Sequence, residues 1–436
     1  MRNSPLARAV ALATLGAGLS LPQLALAEFI KDSKATLELR NFYMNRDYRQ
    51  STTPAASAPP KVTGKTPTEY KAYSAEWAQG FLLRMESGFT EGPVGFGVDG
   101  LGLVGLRLDS GRGRSGTGLL QLDNETGRAQ DEYASAGGSG KIRISKSVLK
   151  AGSALQPKLP VVQASDIRLL PQTFEGGTLN VAEIEGLNLN GGLLSQVKQR
   201  ASSDYQDLML NGNAVATSDR FSYAGGDYAL TKELSLSYYY AELENIYDQN
   251  FAGVVYLLPL AEGQFVKADL RYAHSNDNGN ADAGSLDNKS ANGMLSYGIG
   301  AHTFSAAYQQ MNGDNAFPYI SETDPFLVNY VQIGNFASTE EKSWQARYDL
   351  NFASYGVPGL SLMTRYVNGD NIKLANGSND GKEWERDTDI AYLFQSEALK
   401  GLGVKWRNAT YRSNLVKNTK ALDENRLIVS YTLPIW

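Results

Sequence analysis

Apolar and polar positions alternate along much of this chain. From Trp344 to Phe352 every second residue is apolar or aromatic, and the residues between them are Gln345, Arg347, Asp349 and Asn351. Successive side chains of a β-strand point to opposite faces, so this pattern predicts a strand with one apolar face and one charged face. The chain has no long helical periodicity. We therefore expect an all-β fold.

Similar two-faced segments recur from one end of the chain to the other. They are Ala35–Tyr43, Phe81–Met85, Leu234–Tyr240, Val266–Tyr272, Leu402–Arg407 and Arg426–Trp436. Polar connections lie between them, and we expect mobile, outward-facing loops at Ser51–Ser74, Ser275–Gly293 and Gly369–Glu385. Two connections, Pro157–Gly177 and Gly313–Lys342, mix prolines with aromatic and apolar residues. We expect these two to pack against the interior of the sheet.

The first 27 residues have the three parts of an export signal. Arg2 and Arg8 flank the start, Ala9–Leu21 is mostly apolar, and Ala25-Leu26-Ala27 fits the small-residue cleavage rule. We expect residues 1–27 to be cleaved as a signal peptide, which leaves residues 28–436 as a single barrel domain. The mature chain would have 39 basic and 46 acidic residues, a formal charge of −7. Such an acidic exported chain is a poor binder of nucleic acid.

Residues 28–436 contain no apolar run of about 18 residues, the length that a membrane-spanning helix needs. The longest apolar stretch, Val254–Leu260, is short and contains Pro259. Because hydrocarbon offers no hydrogen-bond partner to backbone amides, only helices or a closed sheet cross a membrane. The chain is therefore predicted to be a closed antiparallel transmembrane β-barrel in the bacterial outer membrane, with lipid outside and a polar bore. Its length allows roughly 16 to 18 strands.

Few residues suit catalysis or metal binding. The chain has no cysteine, and its two histidines, His274 and His302, show no metal-ligand spacing. Gly111–Gly116 matches the dinucleotide-binding fingerprint, but no βαβ pattern follows it. A Ser-His hydrolase would need one histidine beside an activated serine on the barrel wall. We expect no cofactor, no metal and no enzymatic activity.

Segments spread over the whole mature chain resemble those of the OprD family of outer-membrane carboxylate channels. They are ELRNFYMNRD at 38–47, EWAQGF at 76–81, ESGFTEGPVGFGVD at 86–99, RLLPQTFEGG at 168–177, EKSWQARYDLNFASYGVPGL at 341–360 and NRLIVSYTLPIW at 425–436. The resemblance implies a monomeric 18-stranded barrel of a Gram-negative bacterium, with inward-folded constriction loops. It also implies a row of basic side chains that conducts a carboxylate. Segments at 111–120, 156–163 and 197–204 look closer to the branch for aromatic and other small carboxylates than to the basic-amino-acid branch.

The resemblance and the strand parity together nominate a pore ladder. Arg46, Lys405 and Arg407 match positions of the family's basic row. Parity alone adds Arg40, Arg84, Lys267, Arg271, Arg347, Arg365 and Arg426, although a large barrel has a charged wall in any case. Asp166 and Arg168 lie in the connection that resembles the constricting third loop. Acidic residues at the same parity, Glu38, Asp269 and Asp349, either hold the arginines in place or form a second track for an ammonium group.

The favoured function is a substrate-selective porin for passive uptake of small carboxylates, with aromatic carboxylates such as benzoate first. Its partners would be the carboxylate solutes and the lipid of the outer membrane, and we expect a monomer. A channel of the same family for basic or zwitterionic amino acids is an alternative. A general trimeric diffusion porin is another, and a barrel-borne enzyme or adhesin comes last.

Overall fold

The structure, a computed structural model, describes residues 29–49, 73–111, 113–123, 125–415 and 421–436. The expected signal peptide and residues 51–72 of the first expected loop lie outside these ranges. Within the described residues, eighteen long strands form one antiparallel sheet. They are β1 Lys34–Tyr48, β2 Tyr73–Glu86, β3 Val94–Asp109, β4 Glu132–Ile144, β5 Ser147–Leu155, β6 Thr173–Val181, β7 Leu187–Lys198, β8 Phe221–Ala229, β9 Leu234–Leu243, β10 Tyr247–Ala261, β11 Gln264–Asp277, β12 Asp287–Ile299, β13 His302–Asn312, β14 Lys342–Asn351, β15 Leu360–Ile372, β16 Gly381–Leu393, β17 Leu402–Ser413 and β18 Ala421–Pro434.

The sheet closes on itself. Each strand pairs with the next along the chain, and β18 pairs with β1, where Arg40 lies opposite Ser430. The prediction of a closed antiparallel barrel of 18 strands is confirmed. Pro434 is the last residue of β18, at the rim of the barrel, where its missing N–H interrupts no ladder.

The two ends of the barrel differ. One end has short turns, such as residues 145–146, 262–263 and 300–301, and two 3₁₀ helices, Phe352–Tyr355 and Glu397–Leu399. The other end has the long connections 156–172, 199–220 and 313–341. Outer-membrane barrels place their short turns in the periplasm. The long connections contain five two-residue strands, Lys158–Leu159, Val162–Gln163, Tyr205–Gln206, Leu208–Met209 and Thr217–Ser218. No helix in the described residues is long and apolar enough to cross a membrane.

The outer surface of the barrel is an apolar, aromatic belt. Leu270 and Tyr238 are more than half exposed, and Trp344 is 47% exposed. Tyr239, the neighbour of Tyr238, points the other way and donates a hydrogen bond to Asp227 inside the barrel. Side chains thus alternate as expected along the strands. Apolar groups point outward, to the face that contacts lipid and not water, and polar groups point inward.

Two of the expected loops are wrong in extent. Strand β12 begins at Asp287, and Asn288, Ser290 and Asn292 are buried inside the barrel, so the connection expected at 275–293 covers only 278–286. Likewise β15 runs to Ile372 and β16 starts at Gly381, which leaves 373–380 of the expected 369–385 loop. These strand ends carry polar residues on both faces, so their composition resembles that of a loop. The expected strand at Trp344–Phe352 ends one residue early.

Long connections fill much of the barrel interior. Leu169 and Leu170 of connection 156–172 are fully buried against inward-facing residues of β1 to β4, including Phe42 and Leu82. A second buried cluster joins this connection to 199–220, to 313–341 and to the wall around Tyr247. Each buried leucine of this kind stabilises the fold by about 1.5–3 kcal/mol. Both connections expected to pack inside the barrel therefore contact its inner wall.

An arginine substituted on the outer belt tests which face of the sheet contacts lipid. Leu295→Arg places a charge on an outward position that is 57% exposed. We expect it to lower the free energy of unfolding by about 2–4 kcal/mol, the range for an arginine near the bilayer midplane. Thr303→Arg is the matched control, because Thr303 faces inward opposite Asp349. Urea titration of both variants in lipid vesicles measures the difference, and equal destabilisation would contradict the assigned faces.

Candidate functional site

Connection 156–172 is fastened to the wall by basic side chains. One guanidinium nitrogen of Arg40 donates to Asp166 Oδ1 at 2.6 Å and to the main-chain oxygen of Arg168 at 2.9 Å. Lys198 Nζ donates to the main-chain oxygen of Pro171 at 3.2 Å. Cations that donate to carbonyl oxygens make stronger hydrogen bonds than neutral donors do. The wall therefore holds this connection from two sides.

Connection 313–341 is fastened by carboxylates instead. Glu385 in β16 accepts the main-chain N–H groups of Ile333 at 2.8 Å and Gly334 at 2.7 Å, one on each carboxylate oxygen. The side chain of Gln332 donates to Glu424 Oε1 in β18 at 2.9 Å. Both glutamates are fully buried. Hydrogen bonds to Glu385 in β16 and Glu424 in β18 thus hold this connection against the barrel wall.

Between the two connections lies a cavity of about 260 Å³. Hydroxyl, carboxamide and charged groups dominate its lining. The lining residues are Ile167, Arg168, Arg200, Asn211, Tyr319, Ser321, Glu322, Thr323, Tyr330, Gln332, Ile333 and Asn335. The two long connections supply most of these groups, with Arg200 and Asn211 coming from connection 199–220.

Arg168 is the unusual group in this cavity. Within the described residues it makes no ion pair, and its recorded hydrogen bond goes to the main-chain oxygen of Ile167. Burial, together with the positive charges of Arg426, Arg200 and Arg46, lowers the pKa of Arg168 well below the usual range. An arginine nevertheless keeps its proton in proteins. The lowered pKa reflects first the burial of the guanidinium and then the three like charges nearby, and a bound anion would offset those like charges.

The ladder residues nearest Arg168 have carboxylate partners. Arg46 and Arg426 both bind Glu424, at 2.7 and 2.6 Å, and Arg365 binds Asp387 at 2.7 Å. The side chain of Arg426 is only 1% exposed. These three arginines point inward, as parity predicted, and each already contacts a carboxylate, although Arg46 and Arg426 share the same one.

A second basic group lies closer to the short-turn end. Lys405 and Arg407 both contact Asp389, at 3.1 and 2.9 Å, and Arg347 pairs with Asp349 at 2.7 Å. A cavity of about 290 Å³ borders Arg347, Asp349, Asp389 and Lys405. The Lys405 side chain is 43% exposed, so its ammonium group remains open to solutes.

The remaining ladder candidates are scattered around the wall. Arg84 lies 3.1 Å from Glu38, which also binds Arg40. Arg271 pairs with Asp269 at 2.8 Å and lies over the ring of Phe326, 3.7 Å from its centroid. Lys267 is exposed and makes no ion pair among the described residues. As expected, Glu38, Asp269 and Asp349 each hold an arginine.

A comparison with protein families matches this barrel and its inward connections to a known family. The protein-family model described as outer membrane porin, OprD family, matches residues 27–435. This chain belongs to the OprD family of outer membrane porins. The resemblance stated from its sequence motifs is thereby confirmed, and so is its place in the outer membrane.

Relatives of this OprD-family porin are similar over nearly their full length. Porin-like protein GalP of Pseudomonas putida is 40% identical over 426 residues, 97% of each chain. The crystal structure of Pseudomonas aeruginosa OpdQ is 52% identical with a TM-score of 0.81, over 94% of this chain and 100% of that one. The crystal structure of Pseudomonas aeruginosa OpdK with vanillate is 36% identical with a TM-score of 0.84, over the same shares.

Sequence reasoning missed several residues of the porin's central cavity. Arg200, Glu322 and Tyr330 lie in connections, where strand parity gives no information. Glu385 was assigned to a polar loop, yet it faces inward. The signal for it was available, since Glu383, Glu385, Asp387 and Asp389 alternate along β16.

Glu385→Gln tests the attachment of connection 313–341. A carboxamide has one accepting oxygen where the carboxylate has two, so one of the two main-chain N–H groups loses its partner. Each such bond to a charged acceptor is worth about 1.5–3 kcal/mol. We expect a larger and noisier single-channel conductance in planar bilayers, because the segment detaches from the wall.

Glu383→Gln is the control for this experiment. Glu383 is buried on the same face of β16, but it accepts a hydrogen bond from Tyr411 of the wall rather than from the connection. Its conductance should equal that of the unmodified porin. A Glu385→Gln channel that also conducts normally would show that other contacts position the segment.

Proposed function

We propose that this porin is a monomeric, substrate-selective channel for passive uptake of small carboxylates, and that Arg168 is the central solute-binding group. The main support for the proposal is the guanidinium of Arg168. It lies in the cavity between the two inward connections and makes no ion pair within the described residues. Its planar donors match a carboxylate in two-point geometry. In a narrow bore walled by protein, the effective dielectric is lower than in water and the attraction is correspondingly stronger.

The other basic residues divide into two roles under this proposal. Arg40, Arg46, Arg365 and Arg426 position the wall and the connections, because carboxylates or carbonyl groups already occupy their donors. Lys405, Arg407 and Arg347 on one side, with Arg84, Lys267 and Arg271 elsewhere on the wall, provide weaker contacts in series. A solute leaves a series of weak sites faster than one tight site, which favours conduction. Asp166 serves by orienting Arg40.

Aromatic carboxylates such as benzoate are the favoured solutes. The crystal structure of the relative OpdK contains vanillate, which is an aromatic carboxylate. The tyrosines Tyr319 and Tyr330 in the cavity offer ring surfaces beside Arg168. These two observations support the aromatic branch over the basic-amino-acid branch.

A zwitterionic amino acid is the second candidate, because the cavity also contains a carboxylate. Glu322 accepts from Arg200 Nε at 3.1 Å and is 35% exposed. An ammonium group at Glu322 and a carboxylate at Arg168 would occupy the same cavity together. The two candidates differ in whether the solute must carry a positive charge.

Arg168→Gln tests the central group. A charge-assisted hydrogen bond is worth about 1.5–3 kcal/mol, so we expect roughly tenfold slower benzoate flux into liposomes. Arg40 donates to the main-chain oxygen of Arg168, so the substitution leaves this anchor of the connection in place. The control is Arg220→Gln, which changes an arginine that is 58% exposed near the rim. Equal flux through both variants would remove Arg168 from the mechanism.

Liposome swelling with benzoate, pyroglutamate and arginine separates the candidate solutes. The carboxylate proposal expects benzoate and pyroglutamate to enter faster than arginine, whose net charge is positive. Fastest entry of arginine would favour the amino-acid branch. Equal rates, together with a native mass of three chains in detergent, would support a general trimeric porin instead.

A further inference from the structure

The outer face of β16 and β17 carries positive charge where the barrel is otherwise apolar. Arg386 lies between Glu385 and Asp387, which are both buried inside, so its own side chain points outward. It is exposed and lies opposite Tyr366 and Thr410. Its guanidinium donates a hydrogen bond to Thr410 Oγ1 at 3.4 Å, and it makes no ion pair within the described residues.

Aromatic residues fix the level of Arg386. Trp344, Tyr366 and Trp384 form a row of rings on the outer surface, with centroids 5.6 and 5.8 Å apart. Such rows mark the boundary between headgroups and hydrocarbon. Arg386 lies two residues past Trp384 in the direction of the short-turn end, on the membrane side of the row. From this position the methylene groups of the arginine side chain lie against apolar surface, and the guanidinium extends back to the headgroup layer.

Two further arginines lie on the outer face at this level. Arg412 lies beside Trp384, with its guanidinium carbon 5.9 Å from the ring centroid. Arg412 and Arg49 share a single carboxylate, Asp423, each at 2.7 Å. Arg49 also lies 3.6 Å from Asp47, so these two arginines are balanced by two carboxylates, and the net positive charge here comes from Arg386. We call Arg386, Arg412 and Arg49 the outer basic patch.

The outer basic patch does not reflect a uniformly basic rim. On the hairpin of β9 and β10, the outward positions Glu242 and Asp248 lie directly opposite each other. The full chain also has a net charge of −5. Cations are therefore concentrated on one side of an acidic barrel, above an exposed apolar surface formed by Ile390, Trp406 and Leu427.

We propose that the outer basic patch binds the phosphate group of an anionic lipid in the outer leaflet. Arginine binds phosphate through two N–H donors, and its guanidinium stays positively charged in proteins. The acyl chains would cover Ile390, Trp406 and Leu427, below the patch. Arg386 is the principal ligand, because its donors have no carboxylate partner in the described part of the chain, and Arg412 is the second. The site lies on the opposite face of the sheet from the solute pathway and does not depend on it.

Native mass spectrometry of the full-length porin in detergent tests this proposal. The probes are diphosphoryl lipid A, the same lipid with both phosphates removed, and inorganic phosphate as a competitor. We expect the porin to retain diphosphoryl lipid A in preference to the dephosphorylated form. Arg386→Gln should weaken retention roughly fivefold, the effect of one surface cation near an anionic lipid, and adding Arg412→Gln should weaken it further.

Three controls separate phosphate recognition from other causes. Arg386→Lys should restore part of the retention, because it restores the charge without the planar donors. Lys289→Gln, which removes an outward cation from the rim at β12, should change nothing. Benzoate flux through Arg386→Gln should equal that of the unmodified porin, which verifies the fold. Equal retention of both lipid forms, equal effects of Arg386→Gln and Lys289→Gln, or full displacement by millimolar inorganic phosphate would each overturn the proposal.

Discussion

Every backbone amide within the hydrocarbon layer has to find its hydrogen-bond partner in the protein, and this requirement brings β18 back onto β1. Closure gives the sheet two faces with different surroundings. Apolar side chains such as Leu270 dominate the lipid face, and most of the buried charged side chains lie in the interior. The charges that make the channel selective are thus a consequence of the same closure that lets the sheet exist in a membrane.

Confinement brings many charges together, and most of the inward arginines contact a carboxylate within the described residues. Glu424 binds two arginines, and Asp389 binds Arg407 and Lys405. Breaking a buried pair by removing one partner is strongly destabilising, so Arg46, Arg426 and Glu424 act as framework, whereas Lys405 is 43% exposed. Arg168 differs because it comes from a connection that the framework holds by its backbone. Within the described residues its side chain makes no ion pair, and the charges of Arg426, Arg200 and Arg46 act on it. Under the proposed function, the wall and connections form a fixed scaffold, and Arg168 is a separate binding group in the same interior.

Strand parity could be predicted from the sequence because it depends only on neighbouring residues. The inward direction of Arg347, Lys405 and Arg407 follows from it, and so does the outward direction of Trp344. Which arginines remain unpaired could not be predicted, because the pairing joins residues far apart in the chain, such as Arg40 with Asp166, 126 positions later. The sequence predicts loops at the polar ends of β12, β15 and β16, because residues that face a watery interior have the composition of a loop.

The seam between β1 and β18 joins the two most distant strands of the sequence. A chain that lacks its final strand would expose two unpaired edges, each a template for association with other chains. Contacts of such long range form slowly and demand a large loss of chain entropy before they contribute stability. A half-made copy therefore cannot act as a smaller pore. The barrel is complete only when the 14 residues of β18 have paired with β1, so its closure depends on synthesis reaching the end of that strand.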